Sequence, residues 1–278
     1  MKKISVVFDG LKFANNTLTY GIKLGENSNA LLSGVFLESF LYNSYTLADL
    51  VGTQGLSQVK MKHLLEKDEK MRVKSVEAFE QACKKAEINY SVHHHPSFAI
   101  PEVLRESIYS DLLLISADET FSHVADQQPT QFIRELLAGI QCPVLILPKE
   151  YRDVEKVVLL YDGKPASVYA IKMFNYMMPW LRSKPTEVVS VADEKEYMEF
   201  PRETVVKEFI ACHYPDADYT MLNGDPENEV VTYLEKSGKN CLIVLGAYHR
   251  NAVSRWFKSS MADRLMKDIH MPLFIAHH

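Results

Sequence analysis

The sequence is poor in the features that mark an enzyme, a membrane protein or a secreted one. Cysteine is scarce: Cys83, Cys142, Cys212 and Cys241 are the four in 278 residues. None has the spacing of a metal or dithiol redox motif. They stand in apolar or helical contexts and read as reduced core thiols, which points to a cytoplasmic location. No apolar run approaches the roughly 18 residues that a membrane helix requires. The first residues, Met1-Lys2-Lys3-Ile4-Ser5, enter a strand pattern directly and lack the apolar centre of a signal peptide. An excess of one charge is missing too. The net charge is -5, and residues 1–150 carry 15 basic against 18 acidic side chains, with 16 against 18 in the rest. Neither half is basic, so a broad nucleic-acid footprint is excluded. There is no P-loop, no Gly-x-Gly-x-x-Gly after a strand, and no nucleophile elbow around Ser97 or Ser116.

What is present is an ordinary globular composition, 47% apolar and 24% charged, at a length that suits two domains. The chain also repeats itself. Ile4-Ser5-Val6-Val7-Phe8-Asp9-Gly10 returns as Val157-Val158-Leu159-Leu160-Tyr161-Asp162-Gly163. Cys142-Pro143-Val144-Leu145-Ile146-Leu147 returns as Met271-Pro272-Leu273-Phe274-Ile275-Ala276. Pro143 to Pro272 and Leu112 to Cys241 are both 129 residues, so the last third of each half aligns without a gap. The first half carries 24 extra residues around 40–60, where aromatics mix with turn formers. That segment reads as an inserted loop or short helix, either a surface excursion or a specialised element. The boundary between domains falls near residue 150, giving domains at 1–150 and 151–278.

Each half reads as strand and helix in alternation. In the first half the pattern predicts strands at 3–9, 31–37, 88–94, 111–116 and 143–147, short and apolar on both faces as in a covered parallel sheet. It predicts helices at 15–25, closed by Gly25, and at 61–86, with Met61, Leu64, Leu65, Val73, Val76, Phe79 and Cys83 on its core face. Two more follow at 100–109 and 131–140. The second half matches, with a shorter middle helix at 202–213. Such alternation predicts two tandem doubly wound α/β domains. Their ligand crevices lie beyond the carboxyl ends of the strands, at Asp9 and Asp162 and after residues 116 and 245.

The strand ending in Asp-Gly, the Gly224-Asp225-Pro226 turn before a helix, the closing Cys-Pro or Met-Pro strand and their repetition resemble the universal stress protein family in its tandem form. The resemblance spans nearly the whole chain. It implies open five-stranded parallel sheets of order 3-2-1-4-5. It also implies pairing through the last strand, which in a tandem chain forms internally as a pseudo-dimer; a homodimer stays open. It further implies a stress-response role and, in many members, binding of ATP or AMP through a loop of the form G-x2-G-x9-G-[S/T]. Glycines there let backbone N–H groups approach phosphate. A β-carbon in that place blocks the approach or forces a positive φ at roughly 1–2 kcal/mol per residue.

At the family's four loop positions the second half has Gly246, His249, Ser259 and Ser260; the first has Ala117, Thr120, Thr130 and Gln131. The first loop holds Asp118, Glu119 and Asp126 without a basic residue, whereas the second holds Arg250, Arg255 and Lys258 without an acid. A carboxylate about 4 Å from a phosphate costs on the order of 4 kcal/mol at an effective dielectric near 20. The resemblance therefore implies Asp162, Gly163, Gly246, Arg250, Ser259 and Ser260 as cofactor-binding candidates, with ATP or AMP confined to the second half. The basic loop reads equally as a solvated helix start. The leading expectation is a non-catalytic regulatory module that binds a small ligand or a protein partner; the alternative is an ATP- or AMP-binding regulator that uses the second half. Slow ATP hydrolysis is the sole enzymatic option.

Asp9 and Asp162 can cap their turns without a ligand. His93-His94-His95 invites a metal reading, but no Cys or Glu stands at ligand spacing, so these read as exposed strand-end histidines and no metal is expected. Met173, Phe174, Met177, Met178 and Trp180 read as core or inter-half packing. His277-His278 is set aside as native residues or a tag remnant.

Overall fold

The computed structural model describes residues 1–38, 44–45, 51–52, 55–56, 58–96, 98–122, 126–192, 200, 202–238, 240–246 and 261–276. The first half supplies strands β1 (Lys3–Asp9), β2 (Leu31–Glu38), β3 (Tyr90–Pro96), β4 (Leu112–Ser116) and β5 (Val144–Leu147). The second supplies β6 (Lys156–Leu160), β7 (Thr186–Ala192), β8 (Asp218–Asn223), β9 (Cys241–Gly246) and β10 (Leu273–Ala276). Helices α1 (Asn15–Ser28), α2 (Gln58–Lys85), α3 (Ala99–Ile108) and α4 (Gln131–Gly139) belong to the first half, and α5 (Pro165–Met177), α6 (Glu203–Ala211), α7 (Pro226–Lys236) and α8 (Met261–Asp268) to the second.

All ten strands form one sheet, in the order β8-β7-β6-β9-β10-β5-β4-β1-β2-β3. Each half thus has the expected 3-2-1-4-5 order, with parallel pairs throughout. The halves join antiparallel at β5 and β10, with Leu273 opposite Ile146, Phe274 opposite Leu145 and Ile275 opposite Val144. This is the internal pseudo-dimer.

The period of two along a strand divides the core. Ile4, Val6 and Phe8 of β1 face one side with α1, α2, α5 and α6; Val7 faces the other with α3, α4, α7 and α8. Each cluster continues across the seam, with Leu145 and Phe274 on the first face and Ile146 and Ile275 on the second. Phe174, Met177 and Met178 are buried in the first cluster, as the sequence pattern predicts. Between the halves, the Tyr20 ring lies 4.6 Å from that of Tyr151, and its hydroxyl accepts from the Arg152 N–H at 3.2 Å.

Four expectations need correction. Gly25 does not close α1; the helix runs to Ser28, and Asn29, at φ 49°, caps it with its N–H on the Gly25 carbonyl. Gly25 is small because a β-carbon there would sit 3.0 Å from Ile88 Cδ1. The Ile88 N–H donates at 3.0 Å to the Cys83 carbonyl at the end of α2, and β3 starts at Tyr90, two residues late. In α2 the face holding Met61, Leu65 and Val73 is exposed, and burial reaches only Asp68, Ser75, Phe79 and Cys83. Among the described residues the early turns meet Ser44 and Tyr45 of the inserted segment, whereas Phe79 and Cys83, nearer the end of the helix, join the core against the sheet. Cys212 is exposed past the end of α6, unlike the other three cysteines. Most of the 40–60 segment lies outside the described residues. Within it, Val51–Gly52 pairs antiparallel with Gly55–Leu56, and the Ser44 N–H donates at 2.8 Å to Asp68, a fully buried acid of α2.

Phe274 is fully buried at the seam and meets Phe174 edge-on at 5.3 Å. Phe274→Ala is expected to lower stability by about 3–5 kcal/mol in urea unfolding. A loss below about 1 kcal/mol, the scale of a conservative core swap, would mean that the seam is not core.

Candidate functional site

The strand ends carry matching turns. In the first half the Leu11 N–H donates to Asp9 Oδ1 at 2.8 Å; in the second the Lys164 N–H donates to Asp162 Oδ1 at 3.0 Å. Each aspartate thus closes an Asx turn, as the capping reading expects. Their surroundings differ. Asp9 is buried, whereas Asp162 is exposed, takes the Ser167 hydroxyl at 2.7 Å and lies 3.5 Å from Lys164 Nζ. Gly163 follows at φ 76°, a left-handed conformation that favours glycine, and Pro165 then opens α5.

Gly246 ends β9 against that same first turn. A β-carbon on it would lie 2.3 Å from the Ala166 carbonyl carbon and 2.6 Å from the Ser167 nitrogen. The absence of a side chain at Gly246 is therefore already demanded by strand–helix packing, before any phosphate is considered. Asp162, Gly163 and Gly246 are brought together around the start of α5. Arg250, Ser259 and Ser260 lie outside the described residues, as do His249, Arg255 and Lys258.

Beside this turn opens a cavity of about 490 Å³. Its polar walls are Lys164, Lys172 and Arg202; Tyr161, Val206 and Phe209 give it an apolar side. Lys172 Nζ stands 5.8 Å from the centre of the Phe209 ring. Burial pushes the Tyr161 hydroxyl above its ordinary pKa, with Arg202 pulling the other way. Lys172, Arg202 and Phe209 were not legible as site residues, because they come from α5, the residue before α6 and α6 itself, and no motif marks them.

The corresponding loop of the first half is closed on itself. Glu119 is 8% exposed, and its Oε1 accepts the Thr120 N–H at 3.1 Å and the Phe121 N–H at 3.3 Å. Amides that could cradle an anion already have an acceptor. The Thr130 hydroxyl donates to the Glu119 carbonyl and caps α4 by accepting from the Ile133 N–H at 3.2 Å. Phe121, at φ 47°, is buried with its ring 4.6 Å from Phe132. The other acids serve the loop too: Asp126 accepts the Gln131 N–H at 2.6 Å and Asp118 pairs with Lys149 at 3.4 Å. Burial, helped by the Asp9 carboxyl, pushes the Glu119 acid up to about 8.

The three histidines are not the exposed set the sequence suggested. His94 is exposed, but its ring stacks on Phe36 at 5.9 Å; His93 and His95 share the opposite face and are partly buried beneath α3. There His93 Nδ1 lies 2.7 Å and His95 Nε2 2.9 Å from Glu106 Oε1. The carboxylates come from α3, over the sheet face, so strand spacing alone could not bring them in.

Two predictions follow from these contacts. Gly246→Ala is expected to destabilise the protein by about 1–3 kcal/mol or more through overpacking, measured by thermal or urea unfolding without any ligand; an unchanged midpoint would remove the packing explanation. Glu119 binds a proton more tightly in the folded chain than in the unfolded one, so its contribution to stability is full below the unfolded value of 4.5 and is lost as pH rises toward about 8. Relative to Glu119→Gln, the wild type should lose on the order of a few kcal/mol across that window; parallel stability–pH curves would refute the buried, protonated acid.

No protein-family model and no curated protein matches the sequence. Solved structures do. A universal stress protein from Archaeoglobus fulgidus aligns over 99% of this chain and 98% of its own length, at 12% identity and a TM-score of 0.67. A protein of unknown function from Pseudomonas aeruginosa PAO1 aligns over 100% of this chain and 92% of its own, again at 12% identity and a TM-score of 0.67. This chain therefore shares the fold of those two structures, one of them a universal stress protein, along its length. Among the described residues no helix is long and apolar enough to cross a membrane.

Proposed function

We propose that this chain is a tandem universal-stress-type regulator that acts by binding rather than by catalysis, with domains at 1–150 and 151–278 and its small-ligand site in the second. The observation that carries this reading is the asymmetry of the two crevices. In the first half the buried Glu119 takes up the Thr120 and Phe121 amides, and the Phe121 ring is buried beside it. In the second, a cavity bearing Lys164, Lys172 and Arg202 opens beside Asp162 and Gly163. Three cations and an aromatic wall suit a small anion with a flat apolar part. The stress-response role rests on the shared fold.

A second, finer reading is that the ligand is ATP or AMP. The cationic, aromatic-walled cavity favours it, and Arg250, Ser259 and Ser260 of the following loop remain its phosphate-side candidates. Gly246 lends it no separate support, since packing already requires glycine there.

Small molecules released from the purified chain are identified by mass spectrometry, and thermal unfolding is followed with millimolar AMP and ATP plus magnesium. The expected result is an anionic ligand whose stabilisation disappears in Arg202→Glu and persists in Glu119→Gln. Stabilisation by AMP or ATP would support the nucleotide reading; stabilisation by another anion alone would leave the first reading and remove the second. Binding indifferent to Arg202 and Lys172 but lost in first-half variants would overturn both.

A further inference from the structure

On the face of the sheet covered by α3, near the carboxyl end of β3, side chains from β3 and α3 converge. His93 Nδ1, His95 Nε2 and a Glu106 carboxylate oxygen all lie within 4.8 Å of one another. We propose that His93, His95 and Glu106 form a binding site for a divalent transition-metal ion of the zinc class.

Alternation along β3 puts both histidines on one side, two residues apart, and leaves His94 on the other. The hydrogen-bond ladder with β2 fixes them: Val35 lies opposite His93 and Leu37 opposite His95. Glu106 stands in the last turn of α3 directly above, and Glu102, one turn earlier, reaches the far side of the same ring. His95 therefore lies between two carboxylates, with Nε2 2.9 Å from Glu106 and Nδ1 3.4 Å from Glu102. Arg105 Nη1 holds Glu102 from outside at 3.0 Å.

Two ring nitrogens converge on one carboxylate oxygen, and each neutral imidazole has one N–H to place. Either His93 Nδ1–H and His95 Nε2–H donate to Glu106 Oε1, or one metal ion takes the place of those protons and each atom gives it a lone pair. In the second arrangement the His95 N–H lies on Nδ1, towards Glu102. The donor set is two imidazoles and one carboxylate, which suits zinc and its first-row neighbours. The Glu102 carboxylate on His95 Nδ1 supplies the outer hydrogen bond that orients a metal-bound histidine.

Ligands of a tetrahedral ion at about 2.0 Å stand about 3.3 Å apart, against 2.7 and 2.9 Å from Glu106 to the two rings here and at most 4.8 Å between the rings' ligand atoms; rotation of the three side chains would bring them to an ion. Lys3 Nζ lies 3.6 Å from Glu106 Oε2, the other oxygen, so a metal on Oε1 leaves that contact in place. The His93 and His95 side chains are 34% and 24% exposed, which gives the ion a way in and water a coordination position. Such an ion would tie the edge strand β3 to α3.

The test uses the full chain, stripped with chelator, with His277 and His278 changed to Ala so that the terminal pair cannot bind. Titration with Co(II) is expected to give visible absorption that saturates at one equivalent, is displaced by Zn(II), and accompanies a rise in Tm. Glu106→Gln and His95→Ala should each weaken binding by about 100-fold or more and Glu102→Gln by about 10-fold, while His94→Ala leaves it unchanged. Circular dichroism checks that each variant folds. Anomalous diffraction at the zinc edge, on crystals of the parent chain, places the ion independently of any variant. Absence of saturable binding at 100 µM metal, on the order of 100 times a micromolar dissociation constant, would overturn the proposal. So would an ion located elsewhere, or binding unaffected by Glu106→Gln together with His95→Ala.

Discussion

Three register pairs in the middle of the sheet, between Val144–Leu147 and Leu273–Ala276, hold the rest of the molecule in place. These strands are four residues long and buried on both faces. Left unpaired, each would expose a ladder of backbone donors and acceptors in its most apolar stretch, where an unmade hydrogen bond costs most. Pairing them antiparallel satisfies both ladders and merges two five-stranded sheets into one. It also runs each of the two apolar clusters from one half into the other. The edges that remain, β3 and β8, are only partly buried and carry His, Asp, Asn and Thr, which suits strands at a boundary with solvent.

Because the seam makes the halves equivalent, their differences stand out. The same Asx turn closes both first strands, yet their surroundings differ among the described residues. In the first half a buried acid, Glu119, takes the Thr120 and Phe121 amides and Phe121 packs beside it. In the second, a glycine lets the strand end press against the first turn of α5, and a cavity with cationic walls lies alongside. Closing a crevice with a carboxyl pushed toward neutrality avoids burying a charge, which burial would make costly.

The repeat and the alternation of strand and helix were legible because they rest on local signals that recur: apolar runs covered on both faces, Asp-Gly at strand ends, and a proline before each closing strand. The strand order and the pseudo-dimer came only with the family resemblance that those signals carry. The Gly224-Asp225-Pro226 turn was legible as a turn before a helix; in the structure the Asp225 carboxylate takes the Asn228 N–H and Pro226 follows as the first helical residue. The capping role of Asp9 also follows from a local rule. Legibility failed where a residue's partner lies on another element. Gly25 looked like a helix stop, although Ile88 from a distant loop sets its size. The apolar spacing of α2 looked like core, although Met61, Leu65 and Val73 are exposed and burial against the sheet falls to Phe79 and Cys83.

The sequence by itself determined the duplicated α/β frame, the location of the crevices and the residues that stand in the first loop, with Ala117, Thr120 and Thr130 where the resembled family has glycine. Each is a matter of period, order or residue type along the chain. Only the tertiary structure decided that Gly246 answers to the backbone of Ala166, that Glu119 turns inward onto its own loop, and that His93 and His95 face Glu106. Those are meetings across space, set by how helices lie on a sheet, and one-dimensional spacing carries no record of them.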